Sequence, residues 1–166
     1  YLTIVKYFRP FVAPQQMISP TATIGEGTVI MPGVFIGDYA TIGSHCIIYP
    51  NVTIYDHCVI GDHVVIHAGS VLGADAFYYN GKKDRDIWYR KMLSCGRVVL
   101  ENNVDIGANC CIDKGVTHDT VIGQGTKLDN MVQVGHDVVI GKNCIVAAQV
   151  GIAGATTIGN GVNIWG

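Results

Sequence analysis

Aliphatic residues recur at every sixth position through most of this chain. The first series runs without a miss from Ile18 to Leu72, and the second begins at Leu100 and ends at Ile164. The members are Ile18, Ile24, Ile30, Ile36, Ile42, Ile48, Ile54, Ile60, Ile66 and Leu72, then Leu100, Ile106, Ile112, Ile122, Leu128, Val134, Ile140, Val146, Ile152, Ile158 and Ile164. A strict period of six is typical of hexapeptide repeats, in which each short strand ends at a corner.

The other positions of the hexad agree with this interpretation. Two residues before each aliphatic position stands a small or β-branched residue, such as Val34, Cys46 or Val64. Alternation with a period of two is the pattern of a strand, so both positions should point into the same narrow interior. Glycine often follows the aliphatic residue, as at Gly25 and Gly43, and we expect it to relax φ at a corner.

The pattern predicts an all-β fold, a left-handed parallel β-helix of hexapeptide repeats with one long projecting loop. Residues 18–72 and 98–166 supply about seven coils at three hexads each. A sandwich of short alternating strands is the alternative, but its loops vary in length and would erase a strict period of six.

Three segments interrupt the repeat. Residues 1–17 are too few to form a core alone, so we expect the tail of an N-terminal module or a cap on the first coil. Residues 73–97 are polar and aromatic and should project as a loop insertion from the β-helix domain, residues 18–166. A four-residue bulge lies around 114–118. The chain ends in mid-hexad at Gly166, so we expect the domain to continue beyond it.

Composition excludes several classes of function. The formal net charge is −2 and the basic residues are scattered, which argues against a nucleic-acid partner. No apolar stretch predicts a transmembrane segment, and the first residues do not show the basic n-region and small-residue cleavage site expected of a signal peptide. Four of the six cysteines, Cys46, Cys58, Cys110 and Cys144, occupy small interior slots, as expected for reduced thiols of a cytoplasmic protein.

Histidine is the candidate chemistry-bearing residue, and zinc is the first possibility to test. One β-helix family, the γ-type carbonic anhydrases, binds Zn²⁺ with three histidines between subunits. His45 and His63 are eighteen residues apart and should stack one coil apart, and His67 follows four residues later. Nothing completes a convincing three-ligand set, so we predict no metal site.

His136 has more informative neighbours. It lies two residues after Val134, and Gly154 follows it by eighteen residues, one coil away at the same corner. Adjacent coils are separated by about 4.8 Å. An imidazole and an unencumbered backbone N–H would then face one small volume. Acyl transfer needs such a base for the attacking group and such a donor for the developing oxyanion. An ordinary exposed histidine is the alternative.

The region from Ile112 to Gly159 resembles the UDP-3-O-acylglucosamine N-acyltransferases of lipid A biosynthesis. The family's motifs appear as Ile112-Asp113-Lys114-Gly115, Asp119-Thr120-Val121-Ile122-Gly123, Leu128-Asp129-Asn130, the residues around His136, and Ala147-Ala148-Gln149-Val150-Gly151-Ile152-Ala153-Gly154. Gly73-Ala74-Asp75 also matches, as does the aromatic and proline-containing segment before the first hexad. That segment resembles the tail of the family's uridine-binding domain. The likeness covers nearly the whole chain.

The resemblance implies catalytic roles for His136 and Gly154. His136 would be the general base for the 2-amine of a UDP-3-O-acylglucosamine, and the N–H of Gly154 would hold the oxyanion. Substrate-binding roles would fall to Asp129, Asn130, Gln133 and Gln149. The resemblance implies no bound cofactor, since the 3-hydroxyacyl donor is carried on the phosphopantetheine of acyl carrier protein. It also implies a homotrimer with its active sites between subunits.

The chain departs from the family pattern at several positions. Phe77-Tyr78-Tyr79 stands where the family usually has Phe-Gly-Phe, and Lys114 replaces an arginine. Gly135 and Asp137 flank the histidine in place of alanine and asparagine. A second histidine used by the family would lie beyond Gly166. Two alternatives therefore stay open, an acyl-CoA-dependent N- or O-acetyltransferase acting on another amino sugar, and a non-catalytic β-helix or zinc hydratase.

Overall fold

The computed structural model describes residues 1–10 and 12–166. It contains one short helix, α1 (Leu2–Phe8), and a series of very short strands. In chain order the strands are β1 (Thr23–Ile24), β2 (Val29–Ile30), β3 (Phe35–Ile36), β4 (Thr41–Ile42), β5 (Ile47–Ile48), β6 (Thr53–Ile54), β7 (Val59–Ile60), β8 (Val65–Ile66), β9 (Val71–Ala74), β10 (Tyr79–Gly81), β11 (Tyr89–Lys91), β12 (Val98–Leu100), β13 (Asp105–Ile106), β14 (Cys111–Asp113), β15 (Thr120–Ile122), β16 (Lys127–Leu128), β17 (Gln133–Val134), β18 (Val139–Ile140), β19 (Ile145–Val146), β20 (Gly151–Ile152), β21 (Thr157–Ile158) and β22 (Asn163–Ile164).

Apart from β10 and β11, the strands form three parallel sheets. Sheet I has the order β1-β4-β7-β12-β15-β18-β21, sheet II the order β2-β5-β8-β13-β16-β19-β22, and sheet III the order β3-β6-β9-β14-β17-β20. A bridge between Ile18 and Ile36 extends sheet III by one position. Consecutive strands visit the three sheets in turn, so three hexads make one coil. The predicted all-β parallel β-helix of hexapeptide repeats is confirmed.

The interior is filled by the aliphatic positions that the period of six identifies. Ile36, Ile60, Ile112 and Ile140 are each at most 2% exposed, and Cys46 and Cys144 are fully buried beside them. Ile24 and Ile158, in the outermost coils, are more accessible. The six cysteines are free thiols, and the four that the pattern assigns to the interior are buried there. Inward aliphatic positions and interior thiols are therefore both confirmed.

The expected role of the glycine after the aliphatic position is wrong for most hexads. Positive φ falls two residues later instead, for example at His45 (φ 57°) and Asp137 (φ 57°). The glycine is required because the next coil approaches its backbone closely. A Cβ built on Gly25 would lie 2.5 Å from the carbonyl carbon of Gly43. Stacked coils, rather than the turn itself, select glycine at this position.

Both internal interruptions of the repeat leave from the same edge of the β-helix. Residues 75–97 connect β9 to β12, and residues 114–119 connect β14 to β15. Each connection runs from sheet III to sheet I, and we call this edge the insertion corner. The strands return to the next sheet in sequence, so the cycle of three sheets is preserved. The connection from β17 to β18, which contains His136, lies at the insertion corner one coil beyond the bulge.

The long insertion forms a β-hairpin instead of an irregular loop. β10 and β11 pair antiparallel, with Asn80 opposite Arg90. Its side chains are largely exposed, including Phe77 and Ile87. Helix α1 lies near the base of this hairpin and the bulge, where the Tyr1 hydroxyl is 3.2 Å from the carbonyl oxygens of both Leu93 and Val116 and its one proton is shared between them. No helix among the described residues is long and apolar enough to span a bilayer.

Candidate active site

His136 and Gly154 are in contact across adjacent coils. Gly135 N–H donates to Ile152 O at 2.9 Å and Ala155 N–H donates to His136 O at 2.7 Å, which fixes the two turns in register. A Cβ built on Gly154 would lie 2.6 Å from His136 Nε2, which is shorter than the distances that Cβ atoms keep from non-bonded atoms in proteins. The eighteen-residue spacing therefore places the imidazole and the glycine together as predicted.

The local repeat explains why glycine is needed at position 154. At the equivalent position of other hexads, two residues after the inward aliphatic residue, an Asp or Asn side chain accepts the N–H of the residue one coil earlier. Asp56 accepts from Asp38 N at 2.9 Å, and Asn160 accepts from Lys142 N at 2.8 Å. Gly154 has no such side chain, and the ring of His136 lies in that space. This position therefore lacks the side-chain-to-backbone hydrogen bond between adjacent coils, and the imidazole occupies the space.

Asp137 orients the imidazole. Its Oδ2 lies 2.8 Å from His136 Nδ1, and both side chains are mostly buried, with 17% and 20% exposed. The same carboxylate accepts the backbone N–H of Val116 at 3.2 Å and of His118 at 3.1 Å. Asp137 N–H donates to the hydroxyl of buried Thr120 at 3.0 Å. The four-residue bulge thus wraps around Asp137 and fixes it beside His136.

The electrostatics of this pair determine which nitrogen of His136 is free. Burial alone raises the pKa of Asp137, but hydrogen bonds from His136 and the backbone of the bulge outweigh it and hold that pKa below its ordinary value of 3.8. An ionised carboxylate only accepts hydrogen bonds, so Nδ1 of His136 carries the proton that it donates to Asp137. Nε2, on the side of Gly154, is then the basic nitrogen.

Two further residues beside His136 were not identified from the sequence as functional. The ring of Tyr78 packs edge-to-face on the imidazole, with centroids 5.6 Å apart and an interplanar angle of 79°. Asp113 lies one coil earlier, with its Oδ1 3.8 Å from Cys111 Sγ. Burial raises the pKa of Asp113, and the Gln133 amide and the charge of His136 offset this only in part. A carboxyl group with a raised pKa in a cleft is a signal for a functional residue.

The four predicted substrate-binding residues divide into two groups. Gln133 lies on the outer face of β17, between the two corners of sheet III and beside Asp113. The others, Asp129, Asn130 and Gln149, lie at the opposite corner, where sheet II leads into sheet III. All three are exposed. The Asn130 side chain accepts the N–H of Ala108 at 2.8 Å, the same contact between adjacent coils that Asp56 and Asn160 make. Only Gln133 shares the neighbourhood of His136, and the substrate-binding roles of all four remain predictions.

The histidines considered for zinc do not converge. His45 and His63 stack as expected, with ring centroids 5.2 Å apart, whereas His67 stacks on Tyr49 at 4.6 Å. Among residues 1–10 and 12–166, no group of three or more His, Cys, Asp or Glu side chains is placed to hold a metal ion.

Several curated proteins similar to this chain are named UDP-3-O-acylglucosamine N-acyltransferase. The chain is 54% identical over 150 residues to the UDP-3-O-acylglucosamine N-acyltransferase of Helicobacter hepaticus, which covers 90% of this chain and 45% of that protein. It is 46% identical over 92 residues to the enzyme of the same name from Methylobacterium nodulans, covering 55% of this chain and 25% of that protein. The chain therefore spans less than half the length of these relatives.

Solved structures of acyltransferases share the fold. A UDP-N-acetylglucosamine acyltransferase superposes with a TM-score of 0.76 and 31% identity over 93% of this chain and 57% of that chain. The enzyme of Bacteroides fragilis gives a TM-score of 0.74 and 29% identity over 89% of this chain and 55% of that chain.

The hexads themselves match a family signature described as bacterial transferase hexapeptide (six repeats). The matches cover residues 21–54, 39–74 and 119–154, together more than half of the chain, and the last contains both His136 and Gly154. The strand order and the inward aliphatic positions agree with a signature of hexapeptide repeats. The chain belongs to the bacterial transferase hexapeptide family.

Proposed function

We propose that the protein containing this chain transfers a 3-hydroxyacyl group from acyl carrier protein to the 2-amine of a UDP-3-O-acylglucosamine, a step of lipid A biosynthesis. The observation that carries the proposal is the packing of His136 Nε2 against Gly154, with Nδ1 bound to Asp137. The activity for which the Helicobacter hepaticus relative is named supports the choice of acceptor, since the match to that protein covers 90% of this chain.

The geometry supports a base-assisted acyl transfer. The amine nitrogen attacks the thioester carbonyl carbon while His136 Nε2 accepts an amine proton, and the imidazolium formed is stabilised by Asp137. The carbonyl oxygen becomes an oxyanion, which the N–H of Gly154 can stabilise. Collapse of the tetrahedral intermediate forms the amide bond and breaks the carbon–sulfur bond. His136 then returns the proton to the thiolate leaving group.

The full-length protein tests this proposal in a transfer assay. Acyl-carrier and CoA thioesters of several chain lengths are compared with UDP-3-O-acylglucosamine as the acceptor. Each buried methylene contributes about 0.8 kcal/mol, so a site matched to a long chain should strongly prefer the long hydroxyacyl thioester. Efficient transfer from acetyl-CoA, with no gain from a longer chain, would support an acetyltransferase of another amino sugar instead. Acylation of a hydroxyl in preference to the amine would reassign the acceptor.

The proposal includes a homotrimer acting in the cytoplasm. His136 lies on an outer corner of the β-helix, where a second subunit can exclude water and strengthen the local electrostatics. The six free thiols suit a reducing compartment. Light scattering of the full-length protein should give three times the chain mass, and a stable monomer that retains full activity would contradict the trimer.

A further inference from the structure

The long insertion and the bulge are joined by one carboxylate. Asp75 Oδ2 lies 2.8 Å from Lys91 Nζ, at the end of the hairpin, and Asp75 Oδ1 lies 2.8 Å from Lys114 Nζ, in the bulge. The Asp75 side chain is 33% exposed and that of Lys114 is 22% exposed, so this is a partly sheltered network. We call these three residues the Asp75 clamp.

The backbone next to the Asp75 clamp fixes Tyr78. Tyr78 N–H donates to Ala76 O at 2.8 Å, and Met92 N–H donates to Tyr78 O at 2.9 Å. Ala76 is fully buried and its own N–H donates to Ser94 Oγ at 3.3 Å. Tyr78 is therefore tied to the chain on both sides of the hairpin, at residues adjoining Asp75 and Lys91.

Tyr78 is in turn the hairpin residue whose ring packs on His136, with centroids 5.6 Å apart. The imidazole is then limited on three sides, by Asp137 at Nδ1, by Gly154 at Nε2 and by the Tyr78 ring. Edge-to-face aromatic packing at this distance favours one ring orientation. Correct orientation of a catalytic base strongly increases the reaction rate, because a small displacement of a reacting group can lower the rate by orders of magnitude.

We propose that Tyr78 and Asp75 are positioning residues for the acyl-transfer base. The Asp75 clamp holds Tyr78 against His136, and Tyr78 keeps the imidazole directed towards Gly154. This inference rests on the proposed function for its readout, although the contacts themselves do not. Asp75 acts through Tyr78, so the two side chains should contribute to the rate as one unit and not independently.

A double-mutant cycle in the full-length protein tests this. We expect Tyr78→Ala and Asp75→Asn each to lower kcat by about 10-fold to 10²-fold, with KM for the acceptor nearly unchanged. Tyr78→Phe, which keeps the ring, should restore kcat. The double variant should be no slower than Tyr78→Ala alone. If the two losses multiply, or if Tyr78→Ala turns over at the unmodified rate, the proposal is wrong.

A matched ion pair separates positioning from stability. Arg97 and Asp119 also join the hairpin base to the bulge, with Arg97 Nη2 2.7 Å from Asp119 Oδ2. Asp119→Asn should lower Tm about as much as Asp75→Asn, but its effect on kcat should be small. That small effect should be the same whether or not Tyr78→Ala is also present. If Asp75→Asn does not fold, Lys91→Met removes one arm of the clamp and should show the same dependence on Tyr78. Independence of Lys91→Met from Tyr78 would also contradict the proposal.

The unmodified protein and His136→Ala together distinguish the levels of failure. If the unmodified protein transfers no acyl group to the acceptor, the proposed function itself is wrong; if it does and His136→Ala keeps full activity, the role of His136 as the base is wrong and the positioning role fails with it. If His136→Ala is inactive while Tyr78→Ala and Asp75→Asn are unaffected, only the positioning role fails.

Discussion

The Nε2 atom of His136 lies where a side chain at position 154 would begin. A Cβ on Gly154 would approach Nε2 to 2.6 Å and Cε1 to 2.8 Å, so the imidazole and the glycine are mutually dependent. The pair joins two coils that are otherwise held by backbone hydrogen bonds alone at this corner.

Replacing Gly154 with alanine should therefore displace the imidazole. We expect kcat to fall by about 10²-fold or more, because the proposed base would lose its alignment with the amine of the proposed acceptor. Gly151→Ala is the matched control, since a Cβ at Gly151, in the same coil, meets nothing within 4 Å. Steady-state kinetics and thermal unfolding of both variants make the comparison. Equal activity in the two variants would show that the ring is not confined by Gly154.

His136→Ala should lower turnover by about 10²-fold to 10⁴-fold, the usual contribution of a positioned general base. Binding of the proposed nucleotide-sugar acceptor, measured by calorimetry, should change much less, because a general base acts chiefly in the transition state. His118→Ala should be milder, since His118 is exposed and its ring pairs with the Thr117 hydroxyl at 3.0 Å. Loss of activity in His118→Ala, with His136→Ala active, would reverse the assignment.

Asp137→Asn should lower activity and change the stability of the protein with pH. We expect kcat to fall at least about tenfold, because the amide does not stabilise the imidazolium as a carboxylate does. The pKa of Asp137 lies below 3.8, so its charge stabilises the fold above that pH, and this contribution is lost as the pH falls through the lowered pKa. Chemical unfolding should show that the difference in the free energy of unfolding between the unmodified protein and Asp137→Asn becomes smaller from pH 7 to pH 3. A difference that is constant over this range would contradict the assignment.

Asp113→Asn should have the opposite effect on stability. Burial raises the pKa of Asp113 above 3.8, so the ionised carboxylate destabilises the folded state at neutral pH. The variant should melt at a higher temperature than the parent at pH 7, and the difference should shrink as the pH falls through the raised pKa towards 3.8. A lower Tm for Asp113→Asn at pH 7 would show that the carboxylate is stabilised in its charged form.

Ile60→Asp should destabilise the β-helix by several kcal/mol, because it places an unpaired charge in a side-chain position that is 2% exposed. Thr41→Asp is the control, since Thr41 is paired with Val59 in the same sheet and points outward. Circular dichroism during thermal unfolding distinguishes the two. Similar melting temperatures would contradict the inward assignment of the sixth positions.

The regular part of the structure could be predicted because its contacts repeat. A period of six fixes which residues share the interior, and a period of eighteen fixes which residues are neighbours in adjacent coils. His136 and Gly154 were predicted together for that reason. The glycine after each aliphatic residue was located correctly but explained wrongly, because close approach between coils does not appear in the pattern of a single hexad.

The contacts of the insertion corner could not be derived in this way. Asp75, Lys91 and Tyr78 reach Lys114 and His136 through a hairpin that has no period, so no spacing rule relates them. Asp137 is next to His136 in sequence, but its role depends on the bulge that supplies Val116 and His118 N–H groups. Tyr78 and Asp137 were recognised as departures from the family pattern, and that was the available signal.

At the insertion corner, the positions of the site's side chains are set in two ways, coarsely by the coils and finely by the two insertions. Lys114, His136 and Gly154 occupy successive coils, so their separations along the axis come in increments of about 4.8 Å and cannot be varied continuously. Adding or removing one coil of eighteen residues between two of these groups would change their separation by one whole increment and keep the pattern of inward residues. Sub-ångström alignment must instead come from the hairpin and the bulge, the two segments that the repeat does not constrain.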